Sequence, residues 1–271
     1  MVRRHLNPEV VWKSDGVHLL GLAVTVGYTK RYGECNIMAD RNDAILKLME
    51  KPLGPEDTFR FRCKQCGSCC KDRIDILLSP FDLCRMAKEL DEPLQNVFEK
   101  YGHAYIGSTS NVPLVSLKMR EDNGKCHLLR DDNRCRIQKN KPAVCALFPL
   151  GRCAAKKDSG TEIFYILQPT DCGDRDEDHT PKEWMGEFNL EESEEWFRVW
   201  QDIVSTLSEK ITEVLPKVSG ELENALFTGM GGLLYLKYDI EKPLLPQVKE
   251  NGAKALGIVS GIDDMMKMFG H

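Results

Sequence analysis

The sequence predicts an α+β protein: a small, loop-rich cysteine-cluster domain with short strands and flanking helices, followed by a mostly helical C-terminal extension. Three observations predict it. Four cysteines lie within eight residues, from Cys63 to Cys70. Short strand-like pieces separated by turn residues occupy 112–172. After residue 189, apolar residues recur at three- and four-residue steps, which is typical of helices.

The composition is that of an ordinary globular protein, with 42% hydrophobic and 29% charged residues among 271. A chain of this length can bury a core without cysteine staples. The apolar run at 17–26 is shorter than the roughly 20 residues that span a bilayer, so we expect no membrane contact and a cytoplasmic protein. In such a reducing compartment the eleven cysteines are more often ligands or nucleophiles than disulfides.

Charge is unevenly distributed along the chain. Residues 60–73 hold five cations against one carboxylate, and residues 125–157 hold nine cations against two. Residues 171–195 reverse the balance, with eleven carboxylates against two cations. The basic segments are the ones that bear cysteines. Their cations either offset the charge of thiolates around a metal or belong to solvated surface. Aromatic residues are not interleaved with the cations, so we expect no nucleic-acid partner.

Three regions are predicted. Residues 1–37 lack a periodic pattern and are expected to be a poorly ordered N-terminal extension, or an over-extended gene start before Met38. Residues 38–180 form the cysteine-cluster metal-binding domain with a preceding helix at 40–50, and residues 181–271 form the helical C-terminal region. Cys35 lies in the extension and is not expected to be a ligand.

Helix signals after the first cysteines are local and clear. Ser79 followed by Pro80 predicts an N-cap and first helical residue. Cys84 lies beside the apolar stripe of this helix and is predicted to be a buried structural thiol. A second short helix is predicted at 94–101, ending at Gly102.

Strands and further helices follow. Strands are predicted at 113–119 and 163–167, with a turn at 131–133. Asn189 with Glu192 suits a capping box. It precedes an apolar stripe of Trp196, Trp200, Ile203, Leu207, Ile211 and Val214 that ends at Pro216. Residues 221–238 are also predicted to be helical, with a helix-breaking turn at 229–232.

The first cysteine group has the order Cys63, Cys66, Gly67, Cys69 and Cys70. Two-residue spacings let a turning backbone direct successive sulfurs inward, and glycine permits a positive φ. The first three cysteines have the spacing that begins a ferredoxin site, but its fourth cysteine is missing, so a remote one must complete it. Because adjacent side chains tend to diverge, Cys69 and Cys70 favour two centres or a polynuclear one.

Five later cysteines are candidate ligands with this group: Cys126, Cys135, Cys145, Cys153 and Cys172. Thiolates suit zinc or iron and do not suit magnesium or calcium. The sequence does not separate zinc from iron. No catalytic triad, catalytic carboxylate pair or phosphate loop is identified.

The order of these cysteines, with Lys141-Pro142 before Cys145 and Phe148-Pro149 after it, resembles the CxxCxxCC cysteine-cluster family. The family is also called YkgJ-like and is described as zinc- or iron-chelating. The resemblance covers roughly residues 59–150 and implies ligands at Cys63, Cys66, Cys69, Cys70, Cys126, Cys135 and Cys145. Cys153 and Cys172 are added because they lie close by in sequence, and His127 is expected to be a bystander.

The leading hypothesis is a cysteine-ligated metal-binding protein of undetermined activity, with an iron-sulfur cluster favoured over zinc. A relative, flagellin lysine N-methylase, implies an alternative: methyl transfer from S-adenosylmethionine to a protein substrate. A third hypothesis is a zinc-stapled interaction module whose Trp196 and Trp200 dock a partner. Disulfide scaffolding is disfavoured by the expected location.

Overall fold

The computed structural model describes residues 12–14, 17–19, 48, 50–73, 76–157, 160–218 and 220–268. Its strands are β1 (Trp12–Ser14), β2 (Val17–Leu19), β3 (Phe59–Arg62), β4 (Gly102–Ile106), β5 (Pro113–Leu117), β6 (Leu150–Lys157), β7 (Gly160–Leu167) and β8 (Asp174–His179). Its α-helices are α1 (Pro80–Leu90), α2 (Leu94–Tyr101), α3 (Ala143–Leu147), α4 (Pro181–Gly186), α5 (Ser193–Val214), α6 (Glu221–Tyr235) and α7 (Leu244–Met268). Short 3₁₀ helices span Ser68–Cys70 and Leu215–Lys217.

The strands form antiparallel pairs in three small sheets. One sheet has the order β1-β2-β6-β7, and the pairs β3-β8 and β4-β5 form the other two. With helices between and after these strands, the fold confirms the predicted α+β class with a helical C-terminal region. The strands predicted at 113–119 and 163–167 are present as β5 and β7.

The predicted N-terminal extension is described only at β1 and β2. β2 pairs with β6, with His18 opposite Lys156 and Leu19 opposite Ala155. The rest of the extension, including Cys35, and nearly all of the helix predicted at 40–50 lie outside the described residues.

Helix α1 begins as its sequence predicts. The Ser79 hydroxyl accepts the Asp82 N–H, the Asp82 carboxylate accepts the Ser79 N–H, and Pro80 occupies the first turn. Cys84 is fully buried on the apolar face, which confirms its expected structural position. Helix α2 has the predicted bounds, and the N–H of Gly102 caps its last turn.

The C-terminal helices pack into the same core as α1 and α2. The predicted stripe of α5 is buried, and Trp196 lies 5.4 Å from Phe81 of α1 between ring centroids. Trp200 lies 5.5 Å from Tyr235 of α6. The expectation that these two tryptophans dock a partner is therefore wrong, because their rings already pack inside the protein.

Two local predictions near these helices are also wrong. Helix α5 begins at Ser193 without a side-chain cap, and Asn189 adopts a positive φ of 51° in the preceding turn. A capping box is found instead at α4, between Thr180 and Glu183. The glycines at 229–232 lie inside α6, because burial of Met230 and its neighbours outweighs the low helix propensity of glycine.

Among the described residues, we find no helix whose length and apolar character would let it cross a membrane.

Asp82 joins two helix N-termini. Its Oδ2 accepts the Ser79 N–H at 2.8 Å and the Ser79 hydroxyl at 2.6 Å. Its Oδ1 accepts the Ala143 N–H at 2.6 Å, at the start of α3. The carboxylate is buried, so both helices depend on it for satisfied backbone donors.

We expect Asp82→Ala to lower the free energy of unfolding by about 2–4 kcal/mol, because it removes the carboxylate's half of the capping box and leaves the buried Ala143 N–H unpaired. Ser79→Ala, which removes only the cap, should cost about 1 kcal/mol. Urea denaturation measures both. Equal destabilisation by the two variants would contradict the bridging role of Asp82.

Candidate metal centre

The β3-β8 pair brings the first and last candidate cysteines together. β3 ends one residue before Cys63, Cys172 lies two residues before β8, and Arg62 is opposite Asp174. As a result, the sulfurs of Cys66 and Cys172 lie 3.5 Å apart although 106 residues separate them in sequence. This supports the addition of Cys172 to the candidate ligands.

Complementary charges align this strand pair. Arg62 contacts Asp174 at 2.7 Å and Asp176 at 2.8 Å, while Arg60 contacts Asp178 at 3.0 Å. These side chains are largely exposed, so each pair adds little stability, but together they favour one register. The basic segment at 60–73 and the acidic segment at 171–195 are thus structural partners. Their opposite charge was the sequence signal for this pairing.

A tight turn presents the first cysteine group. Gly67 adopts a φ of +70°, after which Ser68–Cys70 forms a 3₁₀ turn. The sulfurs of Cys69 and Cys70 lie 3.9 Å apart. The expectation that these adjacent side chains diverge is therefore wrong, because the 3₁₀ turn brings their sulfurs together.

A second turn supplies two more cysteines. The Cys126 N–H donates to the Cys70 carbonyl at 2.8 Å, which joins this turn to the first. Cys126 and Cys135 flank the predicted turn at 131–133, where Asn133 has a φ of 62°. Atoms of Asn133 lie 3.1–3.3 Å from the position that a Cβ on Gly67 would occupy, so the two turns are closely packed.

Helix α3 carries Cys145. The Asp82 carboxylate accepts the first N–H of this helix, that of Ala143. The Trp184 indole donates to the Ala146 carbonyl at 3.1 Å. Cys145 is thereby fixed by contacts from α1 and α4.

These segments enclose one cavity of about 290 Å³. Its lining includes six candidate thiols, namely Cys63, Cys69, Cys70, Cys126, Cys135 and Cys145. The described residues that line it include no aspartate, glutamate or histidine. The donor set is thus almost wholly sulfur, which suits zinc or iron and does not suit hard cations such as magnesium.

Burial keeps most of these thiols protonated in the absence of a metal. Desolvation, together with neighbouring thiols, raises the pKa of Cys126, Cys135 and Cys145. The hydrogen bond between Cys70 and Cys69 raises the pKa of Cys70 and lowers that of Cys69. The charges of Lys141 and Arg73 lower the pKa of Cys69 further. Cys69 is therefore the thiolate of the pair, ready to attract a cation.

Cys66 and Cys172 contact each other but do not line the cavity, and three other candidate or nearby residues also lie apart from it. Cys153 is buried on β6 opposite Phe164, does not line the cavity, and has a pKa raised to about 12 by desolvation. This predicted ligand therefore lies among packed side chains, outside the set of thiols that share the cavity. Cys84 likewise does not line the cavity. His127 is exposed, with its ring beside Tyr101.

Sulfur spacing tests which metal group the site fits. Two sulfurs bound to one tetrahedral zinc lie about 3.8 Å apart, given Zn–S bonds of about 2.3 Å. The pairs Cys66–Cys172 and Cys69–Cys70 are close to this spacing. Among the described residues, however, no group of three cysteine, histidine, aspartate or glutamate side chains is preformed around one ion. The donors fit thiolate ligation of zinc or iron.

Comparison with known families gives one match. Residues 62–173 match the CxxCxxCC family, described as a "Putative zinc- or iron-chelating domain". The match covers less than half of the chain, confirms the resemblance seen in the sequence, and extends past residue 150 to include Cys172. It supports metal binding without distinguishing zinc from iron. Searches of curated proteins and of solved structures return no match.

We expect Gly67→Ala to reduce bound metal. An alanine at this φ costs about 1–2 kcal/mol, and its Cβ would press on the Asn133 carbonyl, which separates the two cysteine turns. Metal content per chain and urea denaturation measure the two effects.

Gly220→Ala is the control, since Gly220 also has a positive φ but no atom within 4 Å of the added Cβ. It should destabilise the protein and leave metal content unchanged. Equal metal content in both variants would contradict the importance of the Gly67 contact.

Proposed function

We propose that the CxxCxxCC domain of this chain, residues 62–173, holds a metal centre of more than one metal atom, with an iron-sulfur cluster favoured over zinc. Its ligands are drawn from Cys63, Cys66, Cys69, Cys70, Cys126, Cys135, Cys145 and Cys172. The observation that carries the proposal is the convergence of six of these thiols on one cavity whose described lining has no carboxylate or imidazole.

The spread of the thiols supports a polynuclear centre. A cluster divides its ligands among several metal atoms, so that all of its terminal sulfurs need not approach one ion. Cys69 contributes to the raised pKa of Cys70, Cys145 and Cys172, so its sulfur lies near thiols from three separate segments. This proximity suits a centre that spans those segments.

The charges beside the thiols support the same proposal. Lys141 and Arg73 add to the hydrogen bond with Cys70 in lowering the pKa of Cys69, and Lys141 partly offsets the desolvation that raises the pKa of Cys135 and Cys145. Cations in these positions offset the negative charge that several thiolates bring to a cluster. A reducing, intracellular compartment belongs to this proposal, because it keeps the ligand thiols unoxidised.

The two alternative functions have less support. The interaction module loses its expected docking residues, since Trp196 and Trp200 are buried. Methyl transfer from S-adenosylmethionine to a protein lysine has no supporting site among the described residues. The strand pairs described are all antiparallel, unlike the parallel sheet of a Rossmann-type cofactor site, and the glycines at 229–232 lie within α6.

Metal analysis and a visible spectrum of anaerobically purified protein test the proposal. We expect stoichiometric iron with the broad visible absorption of thiolate-bound iron, and its loss in the double variant Cys66→Ala/Cys69→Ala. The control Cys153→Ala removes a buried thiol away from the cavity and should retain both iron and colour.

Colourless protein with two or more bound zinc ions would retain the polynuclear centre and overturn the preference for iron. A single bound ion would contradict the polynuclear proposal. Metal content unaffected by the double variant would contradict the ligand assignment.

A further inference from the structure

The cavity contains an excess of positive charge. Four cationic side chains line it, Arg73, Arg130, Arg134 and Lys141, and the described lining has no carboxylate. Three amide side chains, Gln65, Asn133 and Gln138, add further hydrogen-bond donors. The charge of this lining is therefore one-sided.

The turn at 130–134 sets two of these cations side by side. The Arg130 N–H donates to the Arg134 carbonyl at 3.0 Å, so both residues stand at the base of one turn with their side chains on the cavity wall. Arg130 also contacts Asp132 at 3.5 Å, where both side chains are half-exposed. That exposed pair is weak and leaves the arginine available to a stronger anion.

Lys141 lies on another wall of the cavity. Its ammonium is 4.3 Å from the centre of the Phe188 ring, which holds it by a cation–π contact. The ring faces the ammonium without donating or accepting a conventional hydrogen bond, so the donors of Lys141 can be directed elsewhere.

Arg134 lines the cavity at the end of the turn that begins at Arg130, next in sequence to Cys135. A planar guanidinium in this position suits bidentate recognition of a carboxylate or phosphate.

We propose that this cavity binds a small anion bearing a carboxylate or phosphate group, held by Arg134 and Lys141 beside the metal centre. The proposal rests on the proposed function for the position of the metal. The cavity of about 290 Å³ must also hold the metal centre, so the remaining space suits a molecule of few heavy atoms and not a nucleotide.

Calorimetric titration of the full-length, metal-loaded protein tests this, with inorganic phosphate in one arm and succinate in the other. We expect saturable binding in at least one arm, which identifies the anion class. Arg134→Gln and Lys141→Gln should each weaken it about tenfold or more, because each removes a charge-assisted contact. Arg136→Gln is the matched control, since Arg136 is an exposed cation two residues away that does not line the cavity. It should leave binding unchanged.

Absence of saturable binding in both arms, or equal weakening by Arg136→Gln, would overturn the proposal. Reduced metal content in the Arg134 and Lys141 variants without anion binding to the parent protein would show that the cations only offset thiolates, which also overturns it. If the parent protein holds no metal, the proposed function fails, while the same titrations still decide the anion site. Saturable binding weakened by Arg134→Gln would then support that site.

Discussion

The gathering of thiols from distant parts of the chain into one space is the constraint on which the structure depends. Thiols repel one another once ionised, and burial makes their ionisation costly, so the weak thiol–thiol contacts alone do not assemble the cavity. The surrounding backbone must position them. The β3-β8 pair does so for Cys66 and Cys172, a glycine turn for Cys69 and Cys70, and the start of α3 for Cys145.

The helical part of the chain provides the support for these positions. Helices α5, α6 and α7 share a core with α1, and α1 holds α3 through Asp82. A shift of the C-terminal helices would therefore move α1, and through Asp82 it would also move α3 and Cys145. The C-terminal region is thus part of the scaffold of the metal site, although it contains none of the candidate ligands.

Features set by local sequence were predictable, and those set by distant contacts were not. The Ser79–Asp82 cap, the bounds of α2 and the buried stripe of α5 follow from neighbouring residues. The pairing of β3 with β8 joins residues more than 110 apart, and only complementary charge hinted at it. The sequence pattern likewise indicated nine candidate ligand thiols and did not distinguish Cys153 from the others, because a ligand cysteine and a core cysteine are both buried. Asn189 resembled a helix cap, but tertiary packing placed the start of α5 further on.

The contact between Cys66 and Cys172 has a further consequence for the chain as a polymer. A metal bound by both sulfurs would act as a reversible crosslink that closes a loop of 106 residues. Such closure removes conformational freedom from the unfolded ensemble, and metal binding energy becomes folding energy. Resistance to proteolysis would then rise and fall with the free metal concentration, so the abundance of the folded protein would itself record how much metal the cell contains.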